Sequence, residues 1–292
     1  LSNDVTTGTL GFVKYGDREW LEEELNALKT IATMFAQLQA RLVAIERLQF
    51  LAEHDDLTGL CNSGVLTEHL AARLADGQDG PVAVLFTDLD RLKSVNDQFG
   101  HTAGDELIAQ FAGRLRESLD ATALLARQAG DEFVIVPAGP TDLDDAALLA
   151  ERITLLLKEP FTIGREFIRR TASIGVALGT PGRDSAADVL RHADLALVAA
   201  KDSGGNDAAV FSDVIAQKYL LLNDVELRLR DGIENGAFVV HYQPEVDLRT
   251  GEVVAVQAVV RWNHPTRGML LPSAFMPVAE SSNLAAVLGR KV

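Results

Sequence analysis

Val82-Ala83-Val84-Leu85-Phe86-Thr87-Asp88-Leu89-Asp90, together with Ala126-Arg127-Gln128-Ala129-Gly130-Asp131-Glu132-Phe133-Val134-Ile135-Val136, decides how this chain folds. The run Val82 to Phe86 is short, continuous and apolar, as suits a strand covered on both faces, and a carboxylate, Asp88, follows it at the strand end. In the second stretch Ala129-Gly130 is a two-residue turn signal. Asp131, Glu132 and another apolar run follow it, so the pattern predicts a β-hairpin with acids at its tip. If the first strand pairs beside that hairpin, Asp88 and Asp131 converge. Hard oxygen ligands meeting at strand ends bind magnesium, which usually completes its shell with substrate phosphates. The two stretches therefore point to nucleotide chemistry.

Around them the pattern alternates. From Asp56 to Phe211, strands at 82–87, 122–127, 132–137 and 167–178 are interleaved with helices at 64–75, 104–118, 142–157 and 185–202, which predicts an α/β domain with a partly antiparallel sheet. Glu19 to Glu53 has no Gly or Pro, and Leu28, Ile31, Phe35, Leu38, Leu42 and Ile45 recur at spacings of three and four. That is a coiled-coil seam for a dimer, the alternative being a helix packed on its own domain. The helix leads straight into Asp55-Asp56-Leu57-Thr58-Gly59-Leu60, where it would transmit rotation or register. A second unit opens near Leu221, with a helix to Asn235 and strands Phe238 to Val246 and Val253 to Arg261 around the turn Arg249-Thr250-Gly251.

Composition sets the outer bounds. With 292 residues, 47% of them hydrophobic, the chain can bury more than one core. It opens on Leu rather than Met and reads as a segment of a longer protein. A net charge of −15 argues against nucleic acid and against anionic membrane, both of which are bound through clustered Lys and Arg. No apolar stretch approaches the roughly 18 residues that span a bilayer. A single cysteine, Cys61, permits no internal disulfide and fits a reducing compartment, so the expected location is the cytoplasm.

Five motifs, DDLTGL (55–60), FTDLDRLKSVNDQFGHTAGD (86–105), ARQAGDEF (126–133), ASIGVA (172–177) and ADLALVAAKDSGGN (193–206), make the central region resemble the GGDEF domain of the diguanylate cyclase family. Taken singly, Asp88, Asp90 and Asp97 read as solvated loop acids, Asn96 as a turn former, and Gly100 and Gly104 as helix punctuation. Taken in register, they match the family set. The resemblance implies a palm-like, nucleotidyl cyclase-type mixed sheet with flanking helices. It also implies two GTP molecules joined into cyclic di-GMP, with two magnesium or manganese ions per active site. The catalyst would be a homodimer formed through the signalling helix and the active-site face.

Residue by residue, the resemblance implies Asp88, the backbone carbonyl of Leu89 and Asp131 as metal ligands, and Asp131 also as general base. Glu132 matches the next required acid. Asn96 and Asp105 match the guanine readers, with His101 beside them, and Lys93 and Lys201 match phosphate-neutralising positions. The expected domains are a remnant of a GAF-type sensor at 1–15, a coiled-coil helix at 16–53, the GGDEF domain at 54–213 and a truncated EAL-like start at 214–292. That last piece would be an incomplete TIM-barrel-type fragment.

Departures from the pattern set the activity expected. Ala129 replaces a glycine in a turn predicted to want φ > 0, at about 1–2 kcal/mol. Gly205 stands where the family places a phosphate-binding arginine, which weakens GTP binding by about 10- to 150-fold. Leu92, Ser63 and Val198 replace the usual Phe, Arg and Tyr. Asp120-Ala121-Thr122-Ala123 lacks the Arg-x-x-Asp of the inhibitory product site. In the EAL-like part Gln257 replaces the signature glutamate, while Arg261 keeps a phosphate contact. A weakened cyclase is expected, the alternative being a degenerate GTP-binding domain that regulates an EAL partner without catalysis.

Overall fold

A computed structural model describes residues 11, 13, 19–75, 80–139 and 141–292. The sensor remnant expected at 1–15 lies outside them apart from Gly11 and Val13. In chain order α1 (Glu22–Glu53) and α2 (Ser63–Ala75) lead to β1 (Val82–Leu89), α3 (Leu92–Phe99), α4 (His101–Ser118), β2 (Leu124–Ala129) and β3 (Glu132–Val136). Then come α5 (Leu143–Leu156), β4 (Phe161–Ile163), β5 (Glu166–Ile168), β6 (Ala172–Gly179), α6 (Ala186–Asp202) and β7 (Ala208–Val210).

The main sheet has the order β2-β3-β1-β6-β7, mixed because β7 alone runs parallel to its neighbour. This is the expected palm-like arrangement, with β1 at its centre and every residue of β1 buried. Side chains of a strand alternate between faces. Ala83, Leu85 and Leu89 accordingly pack with Leu107, Phe111 and Leu115 of α4 on one face. Val82, Val84 and Phe86 pack with Leu66 and Leu70 of α2 and with Val189, Ala193 and Leu197 of α6 on the other. Each fully buried Val, Leu or Phe side chain among them contributes about 1.5–3 kcal/mol. Asp88 continues the second set, so the alternation that builds the core also aims its carboxylate at α6.

Helix α6 lies unusually close to the sheet at Gly175. A Cβ there would come within 2.0 Å of the Ala193 carbonyl oxygen and 2.2 Å of the Leu197 nitrogen. The helix is fixed at its start by a capping box, in which Ser185 accepts from the Asp188 N–H and Asp188 accepts from the Ser185 N–H.

Several boundaries differ from the expected ones. Helix α3 is an element beyond the expected pattern, because its eight residues bury only Val95 and leave no periodicity to detect. The strand expected at 167–178 breaks at Arg169-Arg170-Thr171, and its first part pairs in the hairpin β4–β5 around Gly164, whose φ is +60°. The strand expected at 122–127 starts later, because Ala123 N–H closes a turn on Asp120. Ala129 ends β2 in extended conformation, and Gly130 takes the positive φ of +50°. The strain anticipated at Ala129 therefore does not arise.

On α1 only Ala36 is buried, while Leu38, Leu42 and Leu48 are each more than half exposed. The alternative of a helix packed on its own domain is thus not realised. The helix expected from about Leu221 starts earlier, as α7 (Asp213–Glu234) capped by Ser212. The C-terminal unit continues through β8 (Phe238–Val246), β9 (Val253–His264), β10 (Gly268–Leu270), α8 (Pro272–Ser281) and α9 (Ala285–Lys291). β8 and β9 are antiparallel, and Trp262, Phe275, Leu229 and Ile233 form a small core of their own. No closed barrel is present among the described residues.

Candidate functional site

At the C-terminal end of β1, Asp88 is 7% exposed and lies opposite Glu132 of β3 and Ser173 of β6. Residues directly opposite on neighbouring strands share a face, so Asp88 and Glu132 both look toward α6. Lys201, on the last turn of α6, reaches down and places its Nζ 2.7 Å from Asp88 Oδ2. Asp194 sits two turns earlier on the same helix.

The electrostatics record the crowding. Burial pushes the Asp88 carboxyl up to about 6, with Asp131 and Glu132 adding to the rise and Lys201 opposing it. Glu132 is also raised, first by burial and then by Asp194 and Asp131. Asp194 is raised by burial, with Lys201 again opposing. The site therefore brings together Asp88, Asp131, Glu132 and Lys201. It adds Asp194, which sequence reasoning missed although its spacing from Lys201 puts the two on one helical face.

Asp131 is held at the hairpin tip, where its carbonyl accepts from Leu89 N–H at 3.3 Å. The tip is braced by Arg127, which donates from Nε and Nη2 to the Gly130 carbonyl and from Nη1 to both oxygens of Asp55. Burial works against the charge of Asp55, but hydrogen bonds from Thr58 and Arg127 keep it below the usual carboxylate range. The end of α1 is thus tied to the hairpin through Asp55 and Arg127.

Asp90 is not a solvated loop acid. Its carboxylate accepts from Thr171 Oγ1 at 2.6 Å, Ser173 Oγ at 2.8 Å and the Asn206 N–H at 3.1 Å, locking the ends of β1 and β6 to the glycine loop after α6. Gly205, in that loop, has φ +75°. An arginine at this position would be strained in the left-handed region as well as adding charge.

The remaining expected residues lie on the α3–α4 pair. Lys93, His101 and Asp105 are exposed, and Asn96 is half-buried. Asn96 Oδ1 is shielded from water and has no hydrogen-bond partner. Gly104 lies directly beneath it, so close that a Cβ would fall 1.9 Å from that oxygen. An unpaired buried acceptor of this kind costs about 1–3 kcal/mol. Among the described residues no group of three or more His, Cys, Asp or Glu side chains is arranged to hold a metal unaided. His54 and His192 stack on Phe50 and Phe211, as packing residues do.

Comparison with known proteins agrees with this arrangement. The family model described as diguanylate cyclase, GGDEF domain, matches residues 52–207, and the EAL domain model matches residues 226–292. An uncharacterized protein of Mycobacterium tuberculosis is 56% identical over 292 residues, covering all of this chain and 47% of its own length. The bifunctional diguanylate cyclase/cyclic di-GMP phosphodiesterase MucR of Pseudomonas aeruginosa is 37% identical over 279 residues, covering 93% of this chain and 39% of its own. The chain thus spans less than half the length of these relatives. The solved GGDEF domain of TpbB (YfiN) from Pseudomonas aeruginosa superposes with a TM-score of 0.54 at 32% identity, over 56% of this chain and 97% of that one. Among the described residues no helix is long and apolar enough to cross a membrane.

Proposed function

Because the chain belongs to the diguanylate cyclase GGDEF-domain family and continues into a short EAL segment, we propose that residues 54–213 condense two GTP molecules into cyclic di-GMP. The observation that carries this reading is the buried Asp88 beneath Lys201, with Asp131 and Glu132 pressing on its charge. Carboxyls that crowd one another in this way fit a divalent cation. Asp88, Asp131 and the Leu89 carbonyl would hold the magnesium or manganese ions, two per active site, with nucleotide phosphates completing the shell. Such ions, when bound, supply positive charge to the attacking and leaving oxygens.

The protein's own groups do the rest. Asn96 and Asp105 accept from the ring-edge donors of guanine, with His101 beside them. Lys93 and Lys201 neutralise phosphate oxygens. Asp131 takes the proton of the 3′-hydroxyl as that oxygen bonds to the α-phosphorus of the second GTP and the bond to pyrophosphate breaks. Glu132 holds the acidic edge of the site. The step repeats with the two nucleotides exchanging roles, so two domains must face each other. The exposed apolar seam of α1 supports assembly of that homodimer.

Purified protein incubated with GTP and magnesium is expected to form cyclic di-GMP, and Asp131→Ala to abolish it. GTP binding without product in the parent protein would favour the rival reading, a regulatory domain controlling an EAL partner, which the replacement at Gly205 motivates. We assign no hydrolysis to residues 214–292, since the amide of Gln257 has no charge to offer a metal.

A further inference from the structure

In a chain of net charge −15, one cavity of about 650 Å³ is lined by Arg91, Lys158, Arg169, Arg170 and Lys201, with Asp90 the only acid among the described residues that line it. The Asp90 carboxylate is already engaged by Thr171, Ser173 and Asn206. Lys201 is paired with Asp88, whereas Arg91, Lys158, Arg169 and Arg170 make no ion pair among the described residues. Like charges gathered in a concavity repel one another, and an anion relieves that repulsion.

Two further features point the same way. Arg170 uses Nη1 on the Arg169 carbonyl and its Nε is buried without a partner, so the guanidinium keeps donors that no protein acceptor takes up among the described residues. Arg91 has φ +62°, in the left-handed region where a glycine would sit without strain. A cation stands there against the backbone's preference, lining the same cavity as Gly205.

We propose that this cavity is a polyphosphate site in which Arg91, Arg169 and Arg170 grip the terminal phosphates of the nucleotide, replacing the charge that Gly205 lacks. The inference rests on the reading of the domain as a user of GTP. It removes the basis for expecting a weak phosphate grip from Gly205 alone, because the cations come from β1's end and the β5–β6 junction instead.

Inorganic pyrophosphate titrated calorimetrically into the protein with magnesium tests the site independently of turnover. Binding by the parent is expected, with Arg91→Gly and Arg170→Gln each weakening it about 10-fold and raising the KM for GTP by a similar factor. Arg170→Lys keeps the charge and is expected to recover part of the loss. Arg91→Gly is also expected to melt at or above the parent temperature, so a weakened grip there is not misfolding. Pyrophosphate affinity within twofold of the parent in both variants overturns the proposal, even if cyclic di-GMP is made. Pyrophosphate binding that these variants weaken, in a parent that makes no cyclic di-GMP, supports the cavity and instead refutes the catalytic reading.

Discussion

Gly104→Ala separates base recognition from folding. The new Cβ would stand 1.9 Å from Asn96 Oδ1, where ordinary contact begins at 3.4 Å, so the amide must retreat by about 1.5 Å. Helix α4 itself gains, because alanine is favoured over glycine inside a helix by about 1 kcal/mol. The displaced acceptor then leaves a guanine N–H unpaired, at about 1.4–3 kcal/mol, or 10- to 150-fold in affinity. GTP affinity measured calorimetrically should fall by that factor while the thermal midpoint stays near or above that of the parent. Asn96→Ala should weaken GTP comparably, and adding Gly104→Ala to it should cost little more, since both changes remove the same contact. GTP affinity within twofold of the parent in a folded Gly104→Ala protein would refute the assignment of Asn96 to the base.

Other perturbations reach the rest of the architecture. Asp88 has a folded pKa of about 6, above its ordinary 3.8, so its contribution to stability is full below 3.8 and lost as pH rises through 6. Denaturation in EDTA should show Asp88→Asn becoming more stable relative to the parent by about 2 kcal/mol between pH 4 and 8. Asp90→Ala removes the shared acceptor of Thr171, Ser173 and Asn206 and should cost about 3 kcal/mol or more in urea unfolding. Arg127→Ala breaks the tie between Asp55 and the Gly130 carbonyl and should cost about 2 kcal/mol, with Arg127→Lys failing to restore it because lysine has no planar fork. Leu42→Lys on the exposed seam of α1 should turn a dimer into a monomer by light scattering, with GTP binding kept and cyclic di-GMP formation lost.

What is legible in the sequence follows the strength of each local signal. β1 and β3 stand out because a short, continuous apolar run bounded by turn residues and acids is what a strand buried on both faces requires, and they carry Asp88 and Glu132 into register. Helix α3 is hidden because only Val95 of its residues is buried. Asp90 looks solvated in the sequence because its partners Thr171, Ser173 and Asn206 are far away along the chain, and only the pairing of β1 with β6 brings them near. The five-cation cavity is invisible there for the same reason, since Arg91 and Arg170 belong to different strand ends. Ala129 misleads because a turn motif assigns positive φ to a pair of residues, while the bulge in β2 delivers it to Gly130 alone.

Lys201 accounts for how the acidic and basic halves of the site can coexist. Its Nζ lies against Asp88, and its charge opposes the rise of three carboxyls, Asp88, Glu132 and Asp194. One positive charge cannot satisfy three acids in a half-buried place, so this side draws further cations. The same lysine also lines the cavity of unpaired arginines, and that side draws anions. The surface therefore orders charge as acid, cation, then open cationic space over a few residues. On the proposed reading a nucleoside triphosphate carrying its metal would match that order, the metal against the carboxylates and the outer phosphates against the arginines. A bare phosphate would satisfy only the arginines, and a lone metal only the acids. The close seat of α6 on Gly175 helps to hold Lys201, at the end of that helix, against Asp88.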